Sequence, residues 1–311
     1  MKTAFLFSGQ GAQYVGMGKE LYDTEEIVRD TFNQASEVLG YDMADLIFHD
    51  EDKLNQTEYT QPAILTVSIA FYRLLQEKGF KPDVVAGLSL GEYSALVASG
   101  ALSFKEGVSL VAKRGKYMTE AAPTGTGKMV AVMNADRAII EEACKKMSEK
   151  GIVSPANYNT PQQIVIGGEV EAVDSAMALL TEAGVKRMIP LNVSGPFHTA
   201  LLEPASKKLV DELKTIDFQP LEVSVISNTT AQPMKDEEIK ELLGKQVMSA
   251  VHFSDSIETM KEMGADTFIE IGPGKVLTGF LKKIDKTLKT ARVEDVKTLT
   301  NAVQLLEEAQ V

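Results

Sequence analysis

An α/β fold, with a mostly parallel sheet in the main domain and a small α+β insert, is the class the sequence predicts. Three observations predict it. Short apolar runs alternate with segments of helical spacing at both ends of the chain, the pattern of a parallel sheet covered on both faces. A turn-rich cluster, "PTGTGK", breaks that alternation at 123–128. The stretch after it reads β-α-β-β-α-β, the ferredoxin-like order. The expected boundaries are a main domain of residues 1–125 and 194–311 and an inserted subdomain of residues 126–193.

The main domain opens with the apolar strand "TAFLFS" and the glycine loop "GQGAQYVGMG". Helical patterns fill Lys19 to Leu39. "QPAILTVSIAFYRLLQEKG" reads as a buried helix, with Ile64, Val67, Phe71, Leu74 and Leu75 on helical spacing and Gly79 as its stop. "DVVAG" is a short strand that runs directly into Gly87-Leu88-Ser89-Leu90-Gly91, and "FKEGVSLVAKRGKYMTEAA" is the next helix. In the insert, "MVAVM", "IVSPANYN", "QQIVIGG" and "VKRMIPLNV" are strands, while "DRAIIEEACKKMSEKG" and "VEAVDSAMALLTEAG" are helices. The main domain resumes with "HTALLEPASKKLVDELKTI" as a helix, "LEVSVISN" and "TFIEIGPG" as strands, and "KVLTGFLKKI" as a helix.

Composition limits the partners. The 311 residues suit one large domain with a smaller insert, and a hydrophobic content of 44% allows a sizeable core. A net charge of −12 argues against nucleic acid and anionic membrane. No apolar run approaches the roughly 18–20 residues of a helical membrane span. "MKTAFLFSGQGAQ" is too short and too broken by glycine for a secretory signal. The single cysteine, Cys144, permits no intrachain disulfide, so a reducing, cytoplasmic setting is expected. It stands in "IIEEACKKMSEK", which reads as a solvated helix, and carries no expected role.

The chemistry centres on Ser89. A strand, then G-x-S-x-G, then a helix is the setting of a nucleophile elbow, and it is equally the setting of a serine that caps a helix. A reactive serine needs a base. The chain has three histidines. His49 lies in an acidic segment read as a surface loop, and His252 at a helix start. His198 lies where the insert returns to the main domain and would face a cleft, or serve as a structural histidine. Oxyanion donors would be the backbone N–H of Leu90, after the serine, and that of Gln10 in the first glycine loop, which otherwise is a plain connector. Arg114, beside a glycine on a largely apolar helix, would either grip a carboxylate or sit on the surface with Lys113 and Lys116. Two tempting motifs fail. "GQGAQY" has Tyr14 where a dinucleotide fingerprint needs its third glycine, and "TGTGK" is followed by Met129 and has Ala122 where a phosphate loop needs its first glycine.

Taken together, "FSGQGAQ", "TQPAILT", "GLSLGEYSALVASGAL", "KRGKYMTEAAPTGTGKMVAVM", "NYNTPQQIVIGG", "FHTALLEPA" and "IEIGPGKVLTGFLKKI" resemble the malonyl-CoA:acyl carrier protein transacylases of dissociated fatty acid synthesis. The resemblance runs over nearly the whole chain. It implies an α/β-hydrolase-like main domain with a ferredoxin-like insert. It implies Ser89 as nucleophile, His198 as base, Gln10 and Leu90 as oxyanion donors, and Arg114 as the ligand of the malonyl carboxylate. Gln246 matches a glutamine whose backbone carbonyl orients the histidine, and Gln61, Asn157 and Asn159 match further cleft positions. The implied substrates are malonyl-CoA and the phosphopantetheine thiol of acyl carrier protein, with no cofactor, and a cytoplasmic monomer is expected. Phe197, directly before His198, is the bulky residue associated with malonyl over methylmalonyl.

Leu88 departs from the family pattern, in which histidine is usual, so any polar role of that histidine is absent or taken over by other groups. Acyl carrier protein is acidic, so docking to this acidic chain needs a local basic patch. Lys186 with Arg187, and Lys282 and Lys283 with Lys286 in the last catalytic-domain helix, are the candidates. A serine hydrolase or thioesterase of similar fold is the alternative reading, and a carrier-binding relative disabled by Leu88 a third.

Overall fold

The computed structural model describes residues 2–123, 125–193 and 195–311. Thr124, in the turn cluster, and Ser194, at the expected boundary, lie outside the described residues. The strands are β1 (Lys2–Phe7), β2 (Val84–Gly87), β3 (Lys128–Met133), β4 (Val153–Thr160), β5 (Gln163–Gly168), β6 (Arg187–Pro190), β7 (Ser224–Val225), β8 (Ala265–Ile271) and β9 (Lys289–Val293). Among the described residues no helix is long and apolar enough to cross a membrane.

Five strands form a wholly parallel sheet in the order β7-β2-β1-β8-β9. β1 is central, with Phe7 opposite Gly87 on one side and Ile271 on the other. Its two faces feed two cores. Phe5, Phe7, Val85, Ile269 and Ile271 enter one, with the helices Glu26–Leu39, Thr57–Glu77 and Phe104–Ala121. Ala4, Leu6, Val84, Ala86 and Phe268 enter the other, with Phe253–Glu262 and Val276–Ile284. Burial on both faces is why β1 and β2, in the middle of the sheet, read as apolar runs rather than alternating ones.

A second sheet is antiparallel, in the order β4-β5-β3-β6. Val130, Val132 and Ile166 pack one face of it beneath the helices Arg137–Met147 and Val170–Glu182. Met129, Ala131 and Val165 lie on the opposite face, which turns toward the main sheet's cleft. Backbone joins the two parts directly. Tyr158 N–H donates to Val251 C=O at 2.8 Å, and Val251 N–H donates to Ala156 C=O at 2.9 Å. Beside this join the Tyr158 and His252 rings stack at 4.8 Å, and Arg137 lies 4.1 Å over Tyr158 while pairing with Asp255 at 3.0 Å.

Several local expectations need correction. The buried helix starts at Thr57, not Gln61, so Pro62 sits in its second turn. The first turn packs closely on the helix Phe104–Ala121, where a Cβ on Gly115 would stand 2.6 Å from Thr57 C=O. The helix expected from His198 begins only at Glu203, after a short 3-10 turn at Ala200–Leu202. Pro204, in its first turn, is the start signal. "LEVSVISN" pairs over only Ser224–Val225, as a short edge strand. His49 ends the helix Met43–His49 and is not in a loop. Cys144 is on the buried face of its helix, where burial pushes the thiol up to about 12. β9 and the helix Val296–Ala309 extend the main domain beyond the expected elements, so Lys282 and Lys283 are not on its last helix and Lys286 falls after theirs.

Candidate active site

Ser89 sits in a turn that only glycine neighbours permit. A Cβ on Gly87 would lie 1.9 Å from the Gly91 carbonyl carbon, and one on Gly91 would lie 2.2 Å from Phe7 C=O. The strand and the helix Gly91–Ala98 therefore touch backbone to backbone. Ser89 itself takes φ 56°, a left-handed conformation that costs a non-glycine residue on the order of 1 kcal/mol or more. His198 does the same, at φ 62°.

The two side chains meet. Ser89 Oγ lies 2.7 Å from His198 Nε2, and His198 Nδ1 lies 2.9 Å from the Gln246 carbonyl oxygen. A carbonyl only accepts, so Nδ1 carries the proton and Nε2 is free to accept from the serine hydroxyl. Burial, and then the nearby Arg114 cation, push the imidazole down to about 4, so it is neutral near pH 7. No carboxylate touches the ring among the described residues; the orienting group is a main-chain carbonyl.

Arg114 is 1% exposed, not on the surface. Its guanidinium donates to Gln61 Oε1 at 2.8 Å, Gln246 Oε1 at 3.0 Å and Ser89 Oγ at 3.2 Å, and lies 5.2 Å over the Tyr93 ring. Its Nε has no partner, and no carboxylate forms an ion pair with it among the described residues. A buried cation whose hydrogen-bond acceptors are all neutral, with the Glu92 carboxyl acting on it only at longer range, is costly, and an anion reaching it gains a desolvated, charge-assisted contact.

A cavity of about 480 Å³ opens over Ser89 and His198 between the two sheets. Gln10, Phe197, Asn157 and Asn159 line it, and Leu88 supplies an apolar wall that also packs on the second core. Asn159 Oδ1 is buried without a partner. The backbone N–H groups of Gln10 and Leu90 donate to no acceptor among the described residues, while Gln10's side chain is tied to Thr57 and Gln61 at 3.0 and 3.4 Å. A larger cavity, about 640 Å³, lies between the two helices of the insert and holds none of these groups. Lys186, Arg187, Lys282, Lys283 and Lys286 are exposed, away from the cavity lining.

Two residues of the site carry no role in the sequence analysis, although both lie in stretches quoted there. Asn228 follows the short β7 edge strand, and its carboxamide touches Ser89, Gly87 and Gln246. Glu92, one residue past the G-x-S-x-G run, is fully buried and accepts from Asn228 N–H at 2.7 Å. Burial pushes its carboxyl up to about 7, against the pull of that hydrogen bond and of Arg114. A lone acid in the apolar helix "GEYSALVA" was the available signal for Glu92. Asn228 had none.

Residues 4–308 match the acyl transferase domain family. The malonyl CoA-acyl carrier protein transacylase of Bacillus subtilis is 48% identical over 99% of this chain and 98% of its own length. The crystal structure of MCAT from Streptococcus pneumoniae is 62% identical and superposes with a TM-score of 0.96 over 99% of this chain and 100% of that one. A complex of a type II PKS acyl-carrier protein with its malonyl-transacylase, PlMCAT:AntF, contains a chain 42% identical, with a TM-score of 0.94 over 98% of this chain and 100% of that one.

Proposed function

The chain belongs to the malonyl-CoA–acyl carrier protein transacylases and is an acyltransferase, and on that premise we propose that it moves malonyl from coenzyme A to the pantetheine thiol of acyl carrier protein by way of Ser89. The observation that carries this reading is Arg114, a buried guanidinium without a carboxylate partner 3.2 Å from the Ser89 hydroxyl. A malonyl group offers a thioester carbonyl to the serine and a free carboxylate to the arginine. Acetyl offers only the first.

In the first half-reaction Ser89 Oγ attacks the thioester carbonyl and its proton passes to His198 Nε2. The Leu90 and Gln10 N–H groups receive the developing oxyanion. The C–S bond breaks, and the coenzyme A sulfur leaves with the proton from His198. In the second half the carrier's thiol gives its proton to His198 and attacks the malonyl-serine ester, and Ser89 leaves reprotonated. The Gln246 carbonyl keeps the imidazole in the tautomer that both halves need. Phe197 crowds the space that an α-methyl group would take.

The test is transfer of labelled malonyl from malonyl-CoA to holo-acyl carrier protein, with apo carrier protein, which lacks the thiol, as the control. Label on the holo form alone is expected. Release of free malonate at the same rate with or without carrier would favour the hydrolase reading instead.

The depressed imidazole gives a pH prediction. kcat/KM for malonyl-CoA should stay level down to about pH 5 and fall below it as His198 protonates near 4. A limb near the ordinary imidazole value of about 6.5 would contradict the assignment. The unfolded chain takes up this proton first, so the same group lowers stability as pH falls from about 6.5 toward 4.

Docking of an acidic carrier calls on Lys186 and Arg187, which stand exposed at the start of β6. Reversing both charges should raise KM for carrier protein several-fold and leave KM for malonyl-CoA unchanged. Equal changes in both constants would remove these residues from the docking surface.

A further inference from the structure

We propose that Asn228, anchored by the buried Glu92, is the positioning residue that fixes the strained serine turn relative to the histidine and the arginine. The inference rests on Ser89 being the nucleophile.

The hydrogen bonds assign the role. Asn228 Oδ1 accepts from Ser89 N–H at 2.8 Å and from Gln246 Nε2 at 3.2 Å, and Nδ2 donates to Gly87 C=O at 2.6 Å. Two of these partners only donate and one only accepts, so the amide has a single satisfactory orientation. One side chain thus holds the backbone on both sides of Leu88. It also holds Gln246, whose carbonyl orients His198, whose Oε1 accepts from Arg114, and whose Nε2 donates to Ser89 C=O at 2.9 Å. Nucleophile, base and cation are therefore referred to one carboxamide.

Asn228 is itself immobilised. It is 1% exposed, its N–H donates to Glu92 Oε1 at 2.7 Å, and its C=O accepts from His252 N–H at 2.8 Å. Every polar group it has is used. Glu92 is different. Its second oxygen, Oε2, is buried without a partner in a helix that otherwise contributes apolar and small side chains. A carboxyl kept there at the cost of desolvation serves the contact that its first oxygen makes. Ser89 meanwhile sits at φ 56°, a conformation that persists only where surrounding contacts impose it.

Chemistry distinguishes the variants. Asn228→Ala releases Ser89 N–H, Gly87 C=O and Gln246 together. Glu92→Leu removes the anchor, while Glu92→Gln keeps an acceptor for Asn228 N–H. The measurement is the pre-steady-state burst of coenzyme A release at saturating malonyl-CoA, read beside KM and the melting temperature. Asn228→Ala is expected to slow the burst about 100-fold with KM within about threefold of wild type, the effect of a misplaced reacting pair. Glu92→Leu should shift the burst the same way, and Glu92→Gln should restore it to within about threefold of wild type. A merely structural role would lower the melting temperature and leave the burst rate of the folded protein alone. A wild-type burst rate in Asn228→Ala overturns the proposal; if that variant does not fold, a wild-type burst rate in Glu92→Leu does so. A wild-type enzyme that forms no ester on Ser89 defeats the underlying reading instead.

Discussion

Ser89→Ala is expected to abolish the acyl-enzyme. Incubated with radiolabelled malonyl-CoA and precipitated in acid, the wild-type chain should retain label as an acid-stable ester, and the variant none. Transfer to carrier protein should fall by at least about 10⁴-fold, the scale on which loss of a nucleophile acts once binding and oxyanion contacts are all that remain. The fold should survive, because the change removes one oxygen and the turn is held from outside by Asn228. His198→Ala should also cost transfer heavily, since the hydroxyl then loses the acceptor 2.7 Å away. Label retained on Ser89→Ala would move the nucleophile elsewhere and defeat the proposed mechanism.

Arg114→Ala is expected to remove discrimination rather than chemistry. Two parallel charge-assisted hydrogen bonds to a carboxylate, each about 1.5–3 kcal/mol, set the scale. The ratio of kcat/KM for malonyl-CoA to that for acetyl-CoA should therefore drop by about 100-fold or more. Acetyl-CoA is the internal control: it has no carboxylate for the guanidinium, so its rate reports whether Ser89, which Arg114 also contacts, and His198 remain in place. A second readout follows from charge. Arg114 helps hold the imidazole down, so its removal should move the acid limb of the acetyl-CoA profile upward from about 4. Unchanged selectivity between the two thioesters would sink the role given to Arg114.

The middle of the sheet was legible because burial on both faces leaves apolar runs that need no periodicity to be read, as in "TAFLFS" and "DVVAG", whereas the half-exposed edge strand β9, "KTARV", leaves no such run. Ser89 was legible because the backbone contact at Gly87 and Gly91 writes itself into the sequence as glycine. Arg114 was ambiguous: its neighbours Lys113 and Lys116 suggest a surface, and only the packing of its helix against Thr57–Glu77 turns it inward. Gln246 and Phe197 could be named by resemblance alone. Asn228 was invisible, since its meaning lies in a side chain that meets residues 139 positions away. The late start of the helix after His198 was written in Pro204, yet the left-handed turn before it was not.

Ser89 and His198, with Asn134 and Ala231, are the non-glycine residues described with positive φ. On the proposed mechanism, selection for a sturdier chain and selection for a faster one therefore pull in opposite directions at these two positions. A library of variants ranked by thermal resistance alone would reward glycine at both and discard the reaction. What natural drift can tolerate elsewhere in this protein depends on how much surplus the parallel sheet leaves after sustaining those two turns.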